Sequence, residues 1–215
     1  MSKTPAPKLA PGDLLFAAIG EEDNLISAVV EGHRGARLNH VGIVVERDGV
    51  LGVLEAIDPV VTVTSLADYA SRSFCTANRP RILFARLKSQ HRHLLPDALA
   101  HGLGQVGVPY DNYYGPGKEA LYCSELILDM FCHANGGQMF FPNTPLSFRD
   151  TQTGALLPDW VTHYAEVGQD VPEGAPGSHP AGLSQDPRIE VYHLLGDIPG
   201  VQSAATEKEK ASLVR

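Results

Sequence analysis

The sequence predicts an α+β domain, and two features support that prediction. A strand-like segment at residues 39–46 is followed by Arg47-Asp48-Gly49, a hairpin turn signal, and then by a second strand-like segment at residues 50–57. Farther along, Cys123 precedes Leu126, Ile127 and Met130 by three, four and seven positions, which is the spacing of one helix face. The chain therefore combines an antiparallel strand pair with an amphipathic helix that carries a cysteine at its start.

Length and composition favour one structured domain. The chain has 215 residues, of which 43% are hydrophobic and 20% charged, as is ordinary for a soluble globular protein. We expect a flexible N-terminus at residues 1–10, a single domain at residues 11–195 and a flexible C-terminal tail at residues 196–215. The tail is predicted from its composition, which offers few residues to bury.

Charge and hydropathy exclude several classes of partner. The net charge is −8, and no cluster of Lys and Arg offers a surface for nucleic acid or an anionic membrane. No run of roughly 18 apolar residues predicts a membrane span, so we expect no stable membrane insertion. Residues 1–8 lack the apolar core of a signal peptide, which predicts a cytoplasmic protein, with signal-independent secretion as an effector as the alternative.

The three cysteines do not form a recognisable framework. Cys75, Cys123 and Cys132 are odd in number and lack metal-ligand spacing, so the sequence predicts neither disulfides nor a zinc site. Cys132 follows Cys123 by nine residues, about half a turn out of phase on a helix. We therefore interpret Cys75 and Cys132 as structural, and we expect no metal and no organic cofactor.

The remaining elements can be placed in order along the chain. Residues 11–13 form a turn before a short apolar strand at 14–17. Acidic residues at 21–23 and a capping Asn24 precede a short helix at about 25–30. Beyond the hairpin, further predicted elements are strands at 60–66 and 81–87, helices at 94–106 and from 158, and a last strand at 189–194. Residues 108–111, which include Tyr110, lead into an aromatic loop with Tyr113 and Tyr114 that precedes Cys123. Residues 171–187 form a Pro- and Gly-rich connection.

Cys123 is the candidate nucleophile. The N-terminus of a helix carries unpaired N–H groups and a partial positive charge, which favour the thiolate form of a cysteine placed there. The alternative is a structural cysteine, because free cysteines are often buried as small hydrophobic residues. A nucleophilic cysteine also needs a base, and the base needs a group that orients it.

His40 and Glu55 are the candidate base and orienting acid. If the turn pairs Glu46 with Leu51, Gly42 faces Glu55, and His40 becomes a diagonal neighbour of Glu55 on the same face. Such neighbours lie roughly 7–8 Å apart, within reach of two long polar side chains, whereas a one-residue slip would separate them. The alternatives are a histidine with a purely structural role and a solvent-facing carboxylate.

Together these motifs resemble a known family. Gly12-Asp13-Leu14-Leu15, His40-Val41-Gly42-Ile43, Glu55-Ala56, Pro109-Tyr110-Asp111 and the segment Tyr122 to Ile127 are similar to the permuted papain-like amidases of the YaeF/YiiX type, in the NlpC/P60 superfamily. The resemblance covers about residues 11–195, and the histidine precedes the cysteine, as in the permuted branch.

The resemblance implies a fold, a site and an activity. It implies a circularly permuted papain-like fold, in which a central antiparallel sheet packs against the cysteine-bearing helix, and a triad of Cys123, His40 and Glu55. Tyr122 and Tyr110 are candidate substrate-binding residues, although Tyr122 is equally well interpreted as a core aromatic that anchors the helix.

The expected activity is that of a cysteine peptidase or amidase. Its substrate would be a small peptide or other amide, in the first place a cell-wall (peptidoglycan) type of peptide, cleaved through a thioester. A lipid amide or ester hydrolase or acyltransferase, and a catalytically inactive binding module, are the alternatives. The sequence makes no prediction of the oligomeric state.

Overall fold

The protein is described by a computed structural model at residues 8–20, 29–74, 78–114, 119–150 and 153–201. A six-stranded antiparallel sheet forms its centre. The six strands are β1 (Leu14–Ala17), β2 (His40–Arg47), β3 (Val50–Ile57), β4 (Val60–Ser65), β5 (Arg81–Leu87) and β8 (Ile189–Gly196). Their order across the sheet is β4-β3-β2-β1-β5-β8. Two short strands, β6 (Thr144–Pro145) and β7 (Pro176–Gly177), pair with each other.

The helices connect and cover these strands. They are α1 (Leu66–Arg72), α2 (Leu95–Gly104), α3 (Cys123–Ala134), α4 (Pro158–Ala165) and α5 (Pro180–Leu183). Residues Ser89–Leu94 form a 3-10 turn that leads into α2, and Pro96 lies in the first turn of α2, where a missing N–H costs nothing. None of the helices in the described ranges is long and apolar enough to cross a membrane.

The hairpin between β2 and β3 confirms the predicted register. Asp48 and Gly49 both have positive φ, 53° and 78°, as a two-residue type I′ turn requires. Glu46 pairs with Leu51, and Ile43 pairs with Leu54. Continuing this register by one residue brings Gly42 opposite Glu55, so that His40 and Glu55 lie on one face of the sheet.

Alternation along β2 separates two apolar clusters. Val41, Ile43 and Val45 belong to the main core, together with the buried residues of α3. Val44 lies on the other face with Val53 and Tyr69, which α1 contributes. On that face a Cβ built at Gly42 would lie only 2.4 Å from Val53 Cγ1 and 3.2 Å from the Tyr69 ring, so the close packing there depends on glycine.

Several predicted boundaries can be compared with the structure. The strand predicted at 81–87 and the helix beginning at Cys123 are confirmed, and the helix predicted at 94–106 is observed at 95–104. The helix expected at about 25–30 lies mostly within residues 21–28, outside the described residues, as does most of the expected N-terminal segment.

The last strand continues slightly past the predicted domain boundary at residue 195. It includes Gly196, the side chain of Ile198 is buried, and the carbonyl of Pro199 accepts a hydrogen bond from the Arg37 N–H at 2.8 Å. The packed part of the chain therefore extends beyond residue 195, while residues 202–215 of the expected tail lie outside the described residues.

Candidate active site

Cys123 is the first residue of α3. Tyr122 before it has an extended backbone, with φ −94° and ψ 171°, so the helix begins abruptly at the cysteine. The thiol is 4% exposed, and Sγ lies 3.9 Å from the carbonyl oxygen of Asn39, the residue that precedes β2. The start of α3 and the start of β2 therefore meet, which brings Cys123 beside His40.

His40 and Glu55 are in direct contact. His40 Nε2 and Glu55 Oε2 are 2.5 Å apart, and the carboxylate is completely buried. A solvent-facing Glu55, one of the alternatives considered from sequence, is therefore wrong. Because Nε2 is engaged with Glu55, Nδ1 is the ring nitrogen left for the thiol of Cys123.

The charges around His40 favour the imidazolium. Burial of the ring tends to lower its pKa, but hydrogen bonds to Cys123 and Glu55, and the negative charges of these two groups, outweigh burial and raise the pKa to about 9. The histidine is thus disposed to hold a proton between a sulfur and a carboxylate, the state that precedes nucleophilic attack in a cysteine–histidine pair.

The second carboxylate oxygen of Glu55 also has partners. Thr64 Oγ1 donates a hydrogen bond to Oε1 at 2.5 Å, and the guanidinium of Arg72 forms an ion pair with the same oxygen. Burial acts to raise the pKa of Glu55, but the hydrogen bond and charge of His40, together with Thr64 and Arg72, lower it below its usual value. The carboxylate is therefore ionised despite its burial.

Tyr69 supports the histidine ring from α1. Its ring centroid lies 5.7 Å from that of His40, and its hydroxyl donates a hydrogen bond to the carbonyl of Leu15 at 2.5 Å. Burial, followed by the negative charges of Glu55 and Cys123, raises the pKa of Tyr69 well above its usual value, so the phenol keeps its proton. It packs against the base without competing for the proton of His40.

Tyr122 is almost entirely buried, with 3% exposure. Its hydroxyl accepts a hydrogen bond from the backbone N–H of Ser178 at 2.9 Å. Burial raises the pKa of Tyr122 to about 12, although its hydrogen bonds with Ser178 act to lower it. Tyr122 thus directly precedes Cys123 with its hydroxyl already hydrogen-bonded, and the substrate-binding role predicted for it stays a prediction.

Tyr110 and Tyr114 are two tyrosines that precede α3 and feel the charge of Cys123. Burial comes first, and the negative charge of Cys123 next, among the causes that raise the pKa of both phenols, and the two hydroxyls interact with each other. The ring of Tyr114 packs edge-on against Tyr122 at 4.9 Å between centroids. Both phenols therefore respond to the charge of Cys123, and the substrate-binding role predicted for Tyr110 stays a prediction. Tyr114, which the sequence places in the aromatic loop, was not a candidate site residue.

An apolar cavity lies beside Tyr114. Its wall includes the side chains of Val30, Tyr114, Leu146, Phe148 and Trp160, and Ser178 also lines it. The aromatic members pack edge-on against one another, with 5.1 Å between the ring centroids of Phe148 and Trp160. A cavity with such a lining suits an apolar group of a ligand.

The structure brings together Cys123, His40 and Glu55, the three residues chosen from the sequence, and adds supports that the sequence did not indicate. Thr64, Tyr69, Arg72 and Ser178 have no motif of their own, and only their packing around Glu55, His40 and Tyr122 reveals them. For Thr64 one signal was available, because it lies two residues beyond Thr62, the partner of Glu55 across β3 and β4, and therefore on the same face.

The antiparallel sheet, with a cysteine at the start of a helix that packs on it, defines a papain-like fold. A family model described as "permuted papain-like amidase enzyme, YaeF/YiiX, C92 family" matches residues 8–191. The chain therefore belongs to this family of papain-like cysteine amidases, which confirms the fold and the enzyme class that the motifs implied.

Among solved structures, the chain is similar to the metalloprotein YiiX from Escherichia coli O157:H7, with a TM-score of 0.68 and 18% sequence identity. The alignment covers 88% of this chain and 98% of that one, so the two share a fold over nearly their whole length. No curated protein sequence matches this chain.

That similar structure is named a metalloprotein, so the metal-ligating side chains of the present chain are of interest. Within the described ranges, no three His, Cys, Asp or Glu side chains are arranged so that they could hold a metal ion. The described part of the chain therefore offers no ligand set for a resident metal.

Proposed function

We propose that Cys123, His40 and Glu55 form a catalytic triad that hydrolyses an amide bond through a thioester intermediate. One observation carries this proposal: a histidine ring buried between a thiol at a helix start and an ionised carboxylate, with 2.5 Å between His40 Nε2 and Glu55 Oε2. Nucleophile, general base and orienting acid are the roles that this arrangement suits.

The chemistry follows from these positions. His40 holds the thiol proton, and the Cys123 thiolate attacks the amide carbonyl carbon to form a tetrahedral intermediate. Backbone N–H groups at the start of α3 stabilise the negative oxygen, because these groups have no partner within the helix. The carbon–nitrogen bond then breaks as His40 donates its proton to the leaving amine.

The second half of the reaction regenerates the enzyme. Water attacks the thioester while His40 accepts one of its protons, the carbon–sulfur bond breaks, and the acid product leaves. Glu55 stabilises the positive imidazolium that forms in both halves. Every proton and electron pair is thus supplied by water, substrate and the three side chains.

For the substrate, we propose a small peptide amide of the cell-wall type. The amidase activity of the family supports the bond type. A lipid amide or ester is a second candidate, supported by the apolar cavity that begins at Tyr114 and extends to Trp160. The two candidates differ in what occupies that cavity.

The experiment that tests the proposal is mass spectrometry of the trapped thioester. Wild-type protein is incubated with a mixture of peptide amides and long-chain fatty amides, quenched in acid, and digested to locate any acyl group. We expect an acyl adduct on Cys123 whose mass identifies the preferred substrate, and none in the Cys123→Ala control. An adduct on Cys132 alone, or turnover without dependence on Cys123, would contradict the triad.

A catalytically inactive binding module makes a different prediction. An activated thiol reacts with iodoacetamide at neutral pH, and the rate depends on His40, because the imidazole holds the thiol proton. We expect the His40→Ala variant to slow alkylation of Cys123 while Cys132, half-buried on α3, serves as the internal reference. Equal rates in the two proteins would favour the inactive module.

A further inference from the structure

The buried carboxylate of Glu55 has an oxygen that does not face the histidine. We infer that Arg72 and Thr64, which hold this oxygen, are positioning residues that keep Glu55 ionised while His40 gains and loses its proton. This inference rests on the proposed triad and adds two residues to it, both from the segment formed by the end of β4 and α1.

The need for such partners follows from burial. Glu55 is fully buried, and an ionised carboxylate away from water is unfavourable unless it is paired and hydrogen-bonded. His40 is one counter-charge, but the reaction removes that charge each time His40 donates its proton to the leaving amine. At that moment a carboxylate with no other cation nearby would take up a proton readily, since burial raises the pKa of an isolated acid.

Arg72 supplies a charge that does not change during the reaction. Its guanidinium forms an ion pair with Glu55 Oε1, the oxygen opposite the one that contacts His40. An arginine remains protonated at all accessible pH values, so the positive charge beside Glu55 persists when His40 is neutral. The proton that moves during the reaction therefore stays on His40 and is not drawn to Glu55.

The local structure fixes the guanidinium in this place. Ser65 caps α1 by accepting a hydrogen bond from the Asp68 N–H at 3.0 Å, and Arg72 is the last residue of that helix. Arg72 lies one turn after Tyr69, on the same helix face, and its guanidinium carbon lies 5.6 Å from the centre of the Tyr69 ring. The aromatic ring that packs against His40 thus also supports the cation that pairs with Glu55.

Thr64 fixes the orientation of the carboxylate. Glu55 pairs with Thr62 across the two strands, and Thr64 is the diagonal neighbour on the same face. Its hydroxyl donates to Oε1 at 2.5 Å, which leaves Oε2 directed at His40. Thr64 adds no charge, so its contribution is geometric and is expected to be smaller than that of Arg72.

The test is the pH dependence of kcat in Arg72→Met, Arg72→Lys and Thr64→Val. Loss of the cation makes Glu55 easier to protonate, so we expect the acid limb of the profile to move to higher pH by roughly 1 unit in Arg72→Met. Arg72→Lys, which keeps the charge, should recover most of this shift. Thr64→Val should shift the limb in the same direction but less. Arg79→Met, which removes an exposed ion pair with Asp197, is the matched control and should leave the profile unchanged.

A double-mutant cycle shows whether Arg72 acts through Glu55. In a Glu55→Gln background the carboxylate is absent, so Arg72→Met should cause no further shift of the pH profile. An unshifted profile in Arg72→Met, or a shift that persists in the Glu55→Gln background, would overturn the inference. If Arg72→Met fails to fold, the Thr64→Val profile decides, and an unshifted acid limb in that variant would overturn the inference.

The kcat of Glu55→Gln shows whether a negative result contradicts the triad or only the positioning role of Arg72 and Thr64. If Glu55→Gln retains wild-type kcat at every pH, the triad is wrong and the role of Arg72 is wrong with it. If Glu55→Gln is impaired while Arg72→Met and Thr64→Val follow the wild-type profile, the triad stands and only the positioning role is wrong.

Discussion

The hydroxyl of Tyr122 accepts a hydrogen bond from the backbone N–H of Ser178 at 2.9 Å, although the two residues are 56 positions apart in the chain. The Ser178 hydroxyl in turn lies 2.9 Å from the hydroxyl of Ser124. These buried contacts join both neighbours of Cys123 to the loop before α5. The start of α3 is therefore held by side chains on either side of the nucleophile.

Removing the Tyr122 hydroxyl tests this support. In Tyr122→Phe the buried N–H of Ser178 loses its acceptor, so we expect the free energy of unfolding to fall by about 1–3 kcal/mol. Urea denaturation measures this, with Tyr113→Phe, at an exposed side chain, as the control. A substrate-binding role for Tyr122 predicts in addition a rise in KM, whereas an unchanged KM would leave only the anchoring role.

Cys123→Ala should abolish turnover and leave the fold intact. The change removes one sulfur atom from a small side chain that is buried in the main core, so we expect a modest loss of stability without a change of fold. If the thiol is the nucleophile, kcat should fall by at least about 10³-fold. Circular dichroism and a thermal melt provide the folding control, and residual turnover near the wild-type level would assign the nucleophile elsewhere.

Glu55→Gln should shift the alkaline limb of the activity profile. The imidazolium of His40 must donate a proton to the leaving amine, and its pKa of about 9 predicts that activity declines as the pH rises through this value. The negative charge of Glu55 helps to raise that pKa, so its removal should move the decline to lower pH. NMR titration of His40 in both proteins measures the shift directly, and identical titrations would reduce the site to a Cys–His dyad.

The raised pKa of His40 also predicts how stability depends on pH. A group whose pKa is raised from 6.5 to about 9 on folding binds its proton more tightly in the folded state. It therefore stabilises the fold fully below pH 6.5 and loses that contribution as the pH rises through 9. We expect the denaturation midpoint of the wild type to fall over this interval relative to His40→Gln, which has no titrating ring, and parallel curves would contradict this.

Gly42→Ala should destabilise the sheet beside the site. The added methyl group would meet Val53 Cγ1 at 2.4 Å and the Tyr69 ring at 3.2 Å, so these neighbours must move, at a cost of about 1–3 kcal/mol. Gly104→Ala is the matched control, because a Cβ there meets nothing within 4 Å, and in a helix alanine should be neutral or stabilising. Equal midpoints for the two variants would show that the crowding at Gly42 is relieved without cost.

The hairpin between β2 and β3 is the part of the fold that the sequence predicted in most detail. Asp48-Gly49 specifies a tight turn, the turn fixes the register, and the register places His40 and Glu55 on one face. The helix at Cys123 followed in the same way from apolar spacing. These predictions succeeded because each depends on residues that are close in sequence.

The supports of the site could not be predicted for the opposite reason. Arg72 reaches Glu55 only because α1 folds back over β3, and Ser178 reaches Tyr122 from a loop far along the chain. No helix was predicted at residues 66–72, and nothing in that stretch of sequence distinguishes Arg72 from a solvated charge. Contacts of this kind depend on how elements pack, which local spacing does not encode.

The order of the site residues along the chain has a consequence for synthesis. His40, Glu55, Thr64 and Arg72 all lie on consecutive elements, β2 through α1, whereas Cys123 lies on the later helix α3. A nascent chain emerges from the ribosome with its N-terminus first, and hairpins with local contacts form faster than distant pairings. The proton-handling half of the site can thus assemble before the nucleophile has been translated. Under the proposed triad, the thiol of Cys123 meets its base only when α3 packs on the sheet.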